Sequence, residues 1–585
     1  MPRQTTARRE DAEIVENAQN AERAAIADQP RIADRADAQR RRLRAVLLAL
    51  LAAGVAVYFV ELGNSAIWDA NEAFYVETPR EMLEAHDLLN PSFNYLPRFN
   101  KPVLSYWIVA SLYKLFGVSV AVQRFGIALG ALIVIACAWV LARAANDDDS
   151  GLAHRASGLW AAAALAAAPR LVMFARRIFI DIWVTAFLSL TLTFFALGER
   201  YPARRRTWLT LMYVSVGFGV LTKGPVAIAL PALAFTLYLA VTRQLRRISG
   251  MMLPLGILIV AAIAVPWYAA LYREHGWTYI TSFVISENLE RYTQGLGVQQ
   301  HRGPLFYLPV VLSDSFPASV LLLPAAVAWK RRTRIETLLW CWIAAIVGFF
   351  SLSAGKQDLY IFPIVPAVAA LGGVAIERGL RVPALATWLT RTLAATGALL
   401  ALAGAAVLLL FDTAGRVYAL DAAIFVGAIG LAGGIATLVL GVARRPASAA
   451  MTLVAAIIAV NWMFVVRVLP EFERYKPVPA FSAELERRMQ PGDVVAHYQV
   501  ALPSMVFYLR RHVDQYFDAA PFVQAITSDR TVYAVLSADD YASLAPLIGG
   551  HTCTIDRRPT FEVKLRQVLK RQPLPELLLI TNRCH

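Results

Sequence analysis

The chain has 585 residues, 57% of them hydrophobic and only 17% charged, with a mean hydropathy of +0.50. A soluble globular chain carries roughly 25% charged residues, so this composition excludes disorder, a coiled coil and an ordinary soluble enzyme, and it asks for many membrane spans. The 57 Lys and Arg outnumber the 42 Asp and Glu to give +15, which in a membrane protein points first to basic cytoplasmic connections and only second to a nucleic-acid surface.

Residues 1–43 are polar and rich in Ala, Arg and Glu, and read as a cytoplasmic tail. Arg40, Arg41, Arg42 and Arg44 then precede an apolar run over 45–60. That order resembles the start of a signal peptide, but the tail is long and no small-residue cleavage site precedes the acidic segment at 61–72. An uncleaved first span with its N-terminus inside is expected.

A spanning helix needs about 20 mostly apolar residues. About thirteen segments qualify or nearly so: 44–62, 119–142, 156–170, 181–198, 207–222, 225–242, 251–271, 306–328, 336–353, 359–376, 392–411, 422–442 and 450–469. With the N-terminus inside, the connections at 143–155, 200–206, 243–247, 330–334, 378–391 and 444–445 are cytoplasmic. Nearly all are short and arginine-rich, as the positive-inside rule requires. An odd number of spans leaves 471–585 on the outer side.

The reading is therefore an all-α polytopic membrane protein with a small outer α/β domain: a tail at 1–43, a membrane domain at 44–470 with outer loops at 63–118 and 271–305, and an α/β domain at 471–585. In the first loop, 71–84 carries Tyr75, Met82 and Leu83 on one side and predicts an amphipathic helix lying in the membrane interface. The aromatic-rich stretch 102–116 predicts a second in-plane helix. The last region predicts helices at 478–489, 502–509 and 538–547 and strands at 494–498, 531–537 and 577–581. None of the four cysteines forms a CxxC pair. Cys553 and Cys584 fall on the oxidising side, where a disulfide is plausible, whereas Cys137 and Cys341 sit in apolar spans as packing residues.

Candidate chemical residues gather at the outer ends of spans. Glu72, beside Asp69 and Asn71, is either a solvated loop acid or a base, ligand or electrostatic stabiliser at the boundary. Asp181 opens the fourth span close to Arg176 and Arg177, and is either their ion-pair partner or an acid facing a water-filled cavity. Lys101 either snorkels to headgroups or binds a phosphate as a point charge. Lys223 sits at a tight Lys-Gly-Pro outer turn against the positive-inside bias, so it is either functional or paired. Arg291, His301 and Arg302 suit an anionic headgroup, and also ordinary lipid contact. A further cluster follows at Ser353, Lys356, Asp358 and Tyr360. Span centres are almost free of charge, unlike a transporter built from repeated halves with midplane ionisable groups. This pattern fits an enzyme acting at the outer leaflet on an amphiphile with an anionic head.

The motif order Trp68-Asp-Ala-Asn-Glu-Ala-Phe-Tyr-Val-Glu, Asn100-Lys-Pro, Arg177-Ile-Phe-Ile-Asp181, Leu221-Thr-Lys-Gly-Pro225, Glu287-Asn with Arg291-Tyr and His301-Arg-Gly-Pro, and Gly355-Lys-Gln-Asp-Leu-Tyr360 resembles the GT-C class of polyprenyl-phosphate-sugar-dependent glycosyltransferases. The similarity is to the bacterial aminoarabinose lipid A transferases, beside the protein O-mannosyltransferases. The resemblance implies an inverting transfer of a sugar from undecaprenyl phosphate to lipid A, lipopolysaccharide or another envelope acceptor, on the periplasmic face of the bacterial inner membrane. It implies catalytic roles for Asn71, Glu72 and Asp181 and carrier-phosphate contacts from Lys101, Arg291 and Tyr360, and Lys223, Arg302 and His301 are expected to bind the same phosphate. It implies the sugar-linked carrier, an amphiphilic or glycan acceptor and membrane lipids as partners, and no nucleic acid. The competing class is a lipid carrier or flippase without transferase activity. Two positions that ligate zinc in the aminoarabinose enzymes are Asn100 and Asn288 here. An amide oxygen is a weak zinc ligand, so no metal site and no cofactor are expected.

Overall fold

Apolar helices of spanning length form most of the molecule, as the hydropathy requires, and its five-stranded sheet lies in the C-terminal region. The computed structural model describes residues 37–69, 71–146, 155–177, 181–295, 302–413, 420–548, 550–561 and 572–584. Most of the expected tail, and His301, lie outside the described residues.

Eight helices among these residues are long and apolar enough to cross a membrane, or ten if two bent pairs each count as one span. Three expected spans have shorter or more charged counterparts: a helix over 37–56, Arg205–Lys223 and Val226–Val241. The expected spans at 156–170 and 306–328 are not straight. The first bends by 60° between Ala156–Ala166 and Pro169–Arg176, and the second by 107° between Pro304–Asp314 and Ala318–Val327. Each break coincides with a proline, Pro169 or Pro317, which lacks the N–H that would continue the helical ladder.

Direction along the helices sorts the charges. Asp181–Arg200 runs into an arginine-rich turn where buried Glu199 accepts from Arg205 at 2.5 Å and from Arg247 at 2.8 Å. Arg205–Lys223 then returns. Arg334–Leu352 starts from a Thr333–Glu336 capping box, and Glu336 takes a bidentate pair of hydrogen bonds from Arg378. Each of these carboxylates neutralises guanidinium groups at one end of the bundle. The opposite ends of the same helices carry Asp181, Lys223 and Ser353.

Asn71–Glu84 is helical as expected, but it does not lie on a lipid surface. Ala73, Val76, Glu77 and Met82 are fully buried. The reason is tertiary packing: the helix lies against Leu104–Phe116 on one side and the C-terminal region on the other. Next to it, β1 (Ser92–Phe93) and β2 (Leu96–Pro97) form a hairpin whose tip, Asn94-Tyr95, has positive φ at both residues. That tip is docked: Asn94 exchanges two 2.9 Å hydrogen bonds with the Val513 backbone, and Tyr95 Oη donates to Arg510 O at 2.8 Å.

The C-terminal sheet has five strands in the order β4 (Asp514–Tyr516), β3 (Val494–Tyr498), β5 (Val532–Ser537), β7 (Glu576–Thr581), β6 (Cys553–Pro559). The β3–β4 and β3–β5 pairs are parallel, while β7 pairs antiparallel with β5 and β6. β4 and β6 were not expected from the sequence. They are the edge strands, half exposed and carrying Asp514, Asp556, Arg557 and Arg558, so they lack the apolar run of the central strands. Cys553 on β6 is bonded to Cys584 beyond β7, and Cys137 and Cys341 are buried free thiols. The bridge spans 31 residues, a loop whose closure is worth about 3–4 kcal/mol. Cys553→Ser is therefore expected to destabilise this sheet by that amount, read as an earlier unfolding transition by calorimetry, reproduced in the unsubstituted protein by a reducing agent.

Candidate active site

One cavity of about 890 Å³ collects side chains from six separate stretches of chain. Arg98, Asn100 and Lys101 come from the first loop, Asp181 from a helix start, and Lys223 from a helix end. Glu287, Asn288 and Arg291 come from a widened helical segment (Thr281–Glu290) and its continuation, and Arg302, Asp358 and Tyr360 complete the polar wall. The rest of the lining is apolar and runs down the helices through Val184, Leu188, Val226 and Leu230. Leu188 lies seven residues along from Asp181, about 10 Å at the helical rise. The cavity is thus a charged vestibule continued by a greasy slot.

Local chemistry explains the placement. Gly224, at φ +75°, turns the chain after Lys223, and a Cβ there would lie 2.7 Å from the Phe283 ring. The turn therefore needs glycine, and it brings Lys223 onto Asp181 as an ion pair. Geometry answers the pairing of Asp181 and Lys223 that sequence leaves open. Arg176 is spent on the carbonyls of Val57, Val60 and Glu61, and Arg177 lies 3.7 Å from the Trp68 ring centroid, so neither is the partner of Asp181. Lys223 is both paired and cavity-lining, and its Nζ is 5.6 Å from the Tyr360 ring centroid.

Glu287 is the hub of the first-loop side. It accepts from Lys101 Nζ at 2.9 Å, Arg291 at 3.0 Å and Asn100 Nδ2 at 3.2 Å. Burial pushes the Glu287 carboxyl up, but the adjacent Lys101 and Arg291 outweigh that and hold it below the usual range. Burial also lowers Lys101, with Glu287 offsetting only part of the effect. Arg291 faces the Tyr360 hydroxyl. Arg302 donates to Lys356 O at 3.4 Å and covers the Phe306 ring. Lys356 turns inward onto Ser353 O and does not line the cavity.

Glu72 departs from its expected place. It is 2% exposed, pairs with Arg124 at 2.8 Å, accepts from Trp68 N at 2.6 Å, and is absent from the cavity wall. The physical reason is Arg124, a buried cation in the second turn of an apolar helix (Val120–Ala144), whose charge Glu72 offsets. Asn71 is the first residue of its helix. Arg98 is the cavity residue that sequence reasoning missed. The available signal was the one used for Lys223, a cation in a loop that the charge pattern predicts to lie outside.

The residues at the two former ligand positions do not suit zinc. Asn100 and Asn288 both act as donors, Asn288 Nδ2 to Phe283 O at 2.7 Å. The carboxylate beside Asn100 is already shared by two cations, which would repel a dication. Among the described residues no three His, Cys, Asp or Glu side chains converge.

Residues 100–269 match the family described as dolichyl-phosphate-mannose-protein mannosyltransferase. The undecaprenyl phosphate-alpha-4-amino-4-deoxy-L-arabinose arabinosyl transferase of Pseudomonas aeruginosa (strain LESB58) is 32% identical over 338 residues, 57% of this chain and 60% of the relative. The corresponding transferase 1 of Pseudomonas fluorescens (strain Pf0-1) is 29% identical over 343 residues, 57% and 58%. The match thus spans roughly three fifths of these curated relatives. The crystal structure of ArnT from Cupriavidus metallidurans bound to undecaprenyl phosphate superposes with a TM-score of 0.74 at 23% identity, over 92% of this chain and 98% of that one. The chain has the GT-C fold. Over residues 100–269 the chain is similar to that mannosyltransferase family, and its overall fold is like that of ArnT.

Breaking the buried Glu72–Arg124 pair from one side should cost about 3–5 kcal/mol, and removing both charges should return only part of that, because Arg124 also donates to Leu62 O, Ser65 and Ala66 O. Glu72→Met is therefore expected to lower thermal stability sharply, and Glu72→Met with Arg124→Met to recover part of the loss, measured by thermal unfolding in detergent.

Proposed function

We propose that the chain is an inverting glycosyltransferase that moves a sugar from undecaprenyl phosphate to lipid A, lipopolysaccharide or another envelope acceptor at the periplasmic face of the inner membrane. The single observation that carries this is the cavity's shape and charge: a cationic vestibule continued by an apolar slot, which matches an anionic head on a polyprenyl tail. The named activity of the relatives supports the same donor. The arginine-rich turns lie at the opposite helix ends from the cavity, and the positive-inside rule puts such turns in the cytoplasm. That supports an outward-facing vestibule, an N-terminus inside and a periplasmic C-terminal domain.

In the reaction, the acceptor oxygen attacks the anomeric carbon as the bond from that carbon to the carrier phosphate breaks. The electron pair leaves on the phosphate. Positive charge develops on the sugar and negative charge on the leaving group. Lys101, Arg291 and Tyr360 stabilise that negative charge as preorganised donors. Asp181 orients the acceptor or, where it is a hydroxyl, takes its proton. Lys223 holds that carboxylate in place. A phosphate acceptor needs no strong base. Direct displacement inverts the anomeric carbon.

Transfer from a sugar-charged undecaprenyl phosphate by the purified protein tests this. Lys101→Ala is expected to reduce turnover about 10²–10³-fold, and Asp181→Asn about 10²–10⁴-fold with a hydroxyl acceptor. Wild-type turnover in both would refute the roles. Movement of the lipid between leaflets without a new glycosidic bond would instead identify a carrier or flippase. Because burial lowers the pKa of Lys101, its charge is lost at a lower pH than that of a free lysine. Carrier affinity should therefore fall as pH rises through that lowered value, and Lys101→Arg should flatten this alkaline limb in a binding titration with undecaprenyl phosphate.

A further inference from the structure

The vestibule holds five cations, Arg98, Lys101, Lys223, Arg291 and Arg302, and three carboxylates, Asp181, Glu287 and Asp358. Every carboxylate is already committed: Asp181 to Lys223, Glu287 to Lys101 and Arg291, and Asp358 to Arg170 from outside the cavity wall. Arg98 is different. Among the described residues it faces no carboxylate. Its guanidinium carbon lies 3.9 Å from the Phe74 ring centroid and 5.8 Å from that of Phe93, and its Nε is buried without a partner. It faces the Tyr106 hydroxyl, and Tyr106 stacks on Tyr75 at 5.8 Å between centroids. Phe74 and Tyr75 line the same cavity as Asp181 and Glu287, while Tyr106 is fully buried behind Tyr75 and off the cavity wall.

A cavity wall of aromatic rings with a guanidinium that has no carboxylate partner among the described residues is the chemistry of a sugar subsite, since rings stack on sugar faces and guanidinium N–H groups donate to hydroxyl or carboxylate oxygens. A sugar bearing an ammonium would find no free carboxylate here and an excess of positive charge. We propose that the transferred sugar carries no positive charge, and that Arg98 beside Phe74 and Tyr75 on the cavity wall selects a neutral or acidic sugar against a cationic amino sugar. This rests on the proposed carrier reading and deepens it. It also separates this chain from the aminoarabinose substrate named for its relatives.

The test is equilibrium binding of four probes to the full-length purified protein: bare undecaprenyl phosphate, and undecaprenyl phosphate carrying a neutral hexose, a hexuronic acid or 4-amino-4-deoxy-arabinose. The expected result is that the bare carrier binds, and that the aminoarabinose carrier binds at least tenfold more weakly than the hexose and hexuronic carriers. Arg98→Gln should bring the three sugar carriers within about threefold of one another, and Arg98→Lys should keep the discrimination. Equal or tighter binding of the aminoarabinose carrier by the unsubstituted protein overturns the selectivity and leaves the carrier reading standing. Failure of the bare carrier to bind overturns the carrier reading, and the sugar inference with it. Discrimination unchanged in Arg98→Gln overturns the role of Arg98.

Discussion

A charge inside a membrane domain needs a partner that the rest of the fold delivers, a counter-charge at most positions here and backbone carbonyls at Arg176, and this constraint organises the molecule. Glu287 satisfies Lys101 and Arg291 together, Asp181 and Lys223 satisfy each other, and Glu72 satisfies Arg124. The first two sets face a cavity and leave it net positive. The third is walled off and holds the first loop to the next span. The same residue types therefore do different work according to whether a cavity opens beside them.

The C-terminal domain is tied to the first loop by polar contacts. Ala66 N donates to Glu473 at 2.7 Å, Ile67 N to Tyr508 Oη at 3.1 Å, and Ser504 N to Asp69 at 2.7 Å. Burial pushes the Asp69 carboxyl up to about 6 against the lowering effect of Ser504. Trp68 lies between Arg177 and Lys476, whose charged groups are 3.7 and 4.2 Å from its ring centroid. Arg177 is four residues before Asp181, so the domain braces the approach to a cavity residue that it does not touch.

Much of the architecture was legible. Long apolar runs marked the helices, because a spanning helix must satisfy its own backbone and be apolar along its whole length. Central strands β3, β5 and β7 were equally plain, since they are buried on both faces. The two edge strands and the two bent spans were not, because half-exposed strands look polar and a proline does not announce whether a helix kinks or ends. Within the site, Lys101, Asp181, Lys223, Arg291, Arg302 and Tyr360 all reach the cavity. Arg98 was missed, and Glu72 was misplaced because nothing local distinguishes an acid that faces water from one that meets a buried arginine.

Residue order by itself determined the class of fold, the positions of most helices and the end of the bundle at which chemistry gathers. These follow from hydropathy and charge, which act locally and add along the chain. Only the tertiary structure decided the partnerships. Lys223 and Asp181 are 42 residues apart, Arg124 and Glu72 are 52, and Lys101 and Glu287 are 186. Ion pairing and the shape of a cavity depend on distance in space, and that distance exists only once the helices have packed.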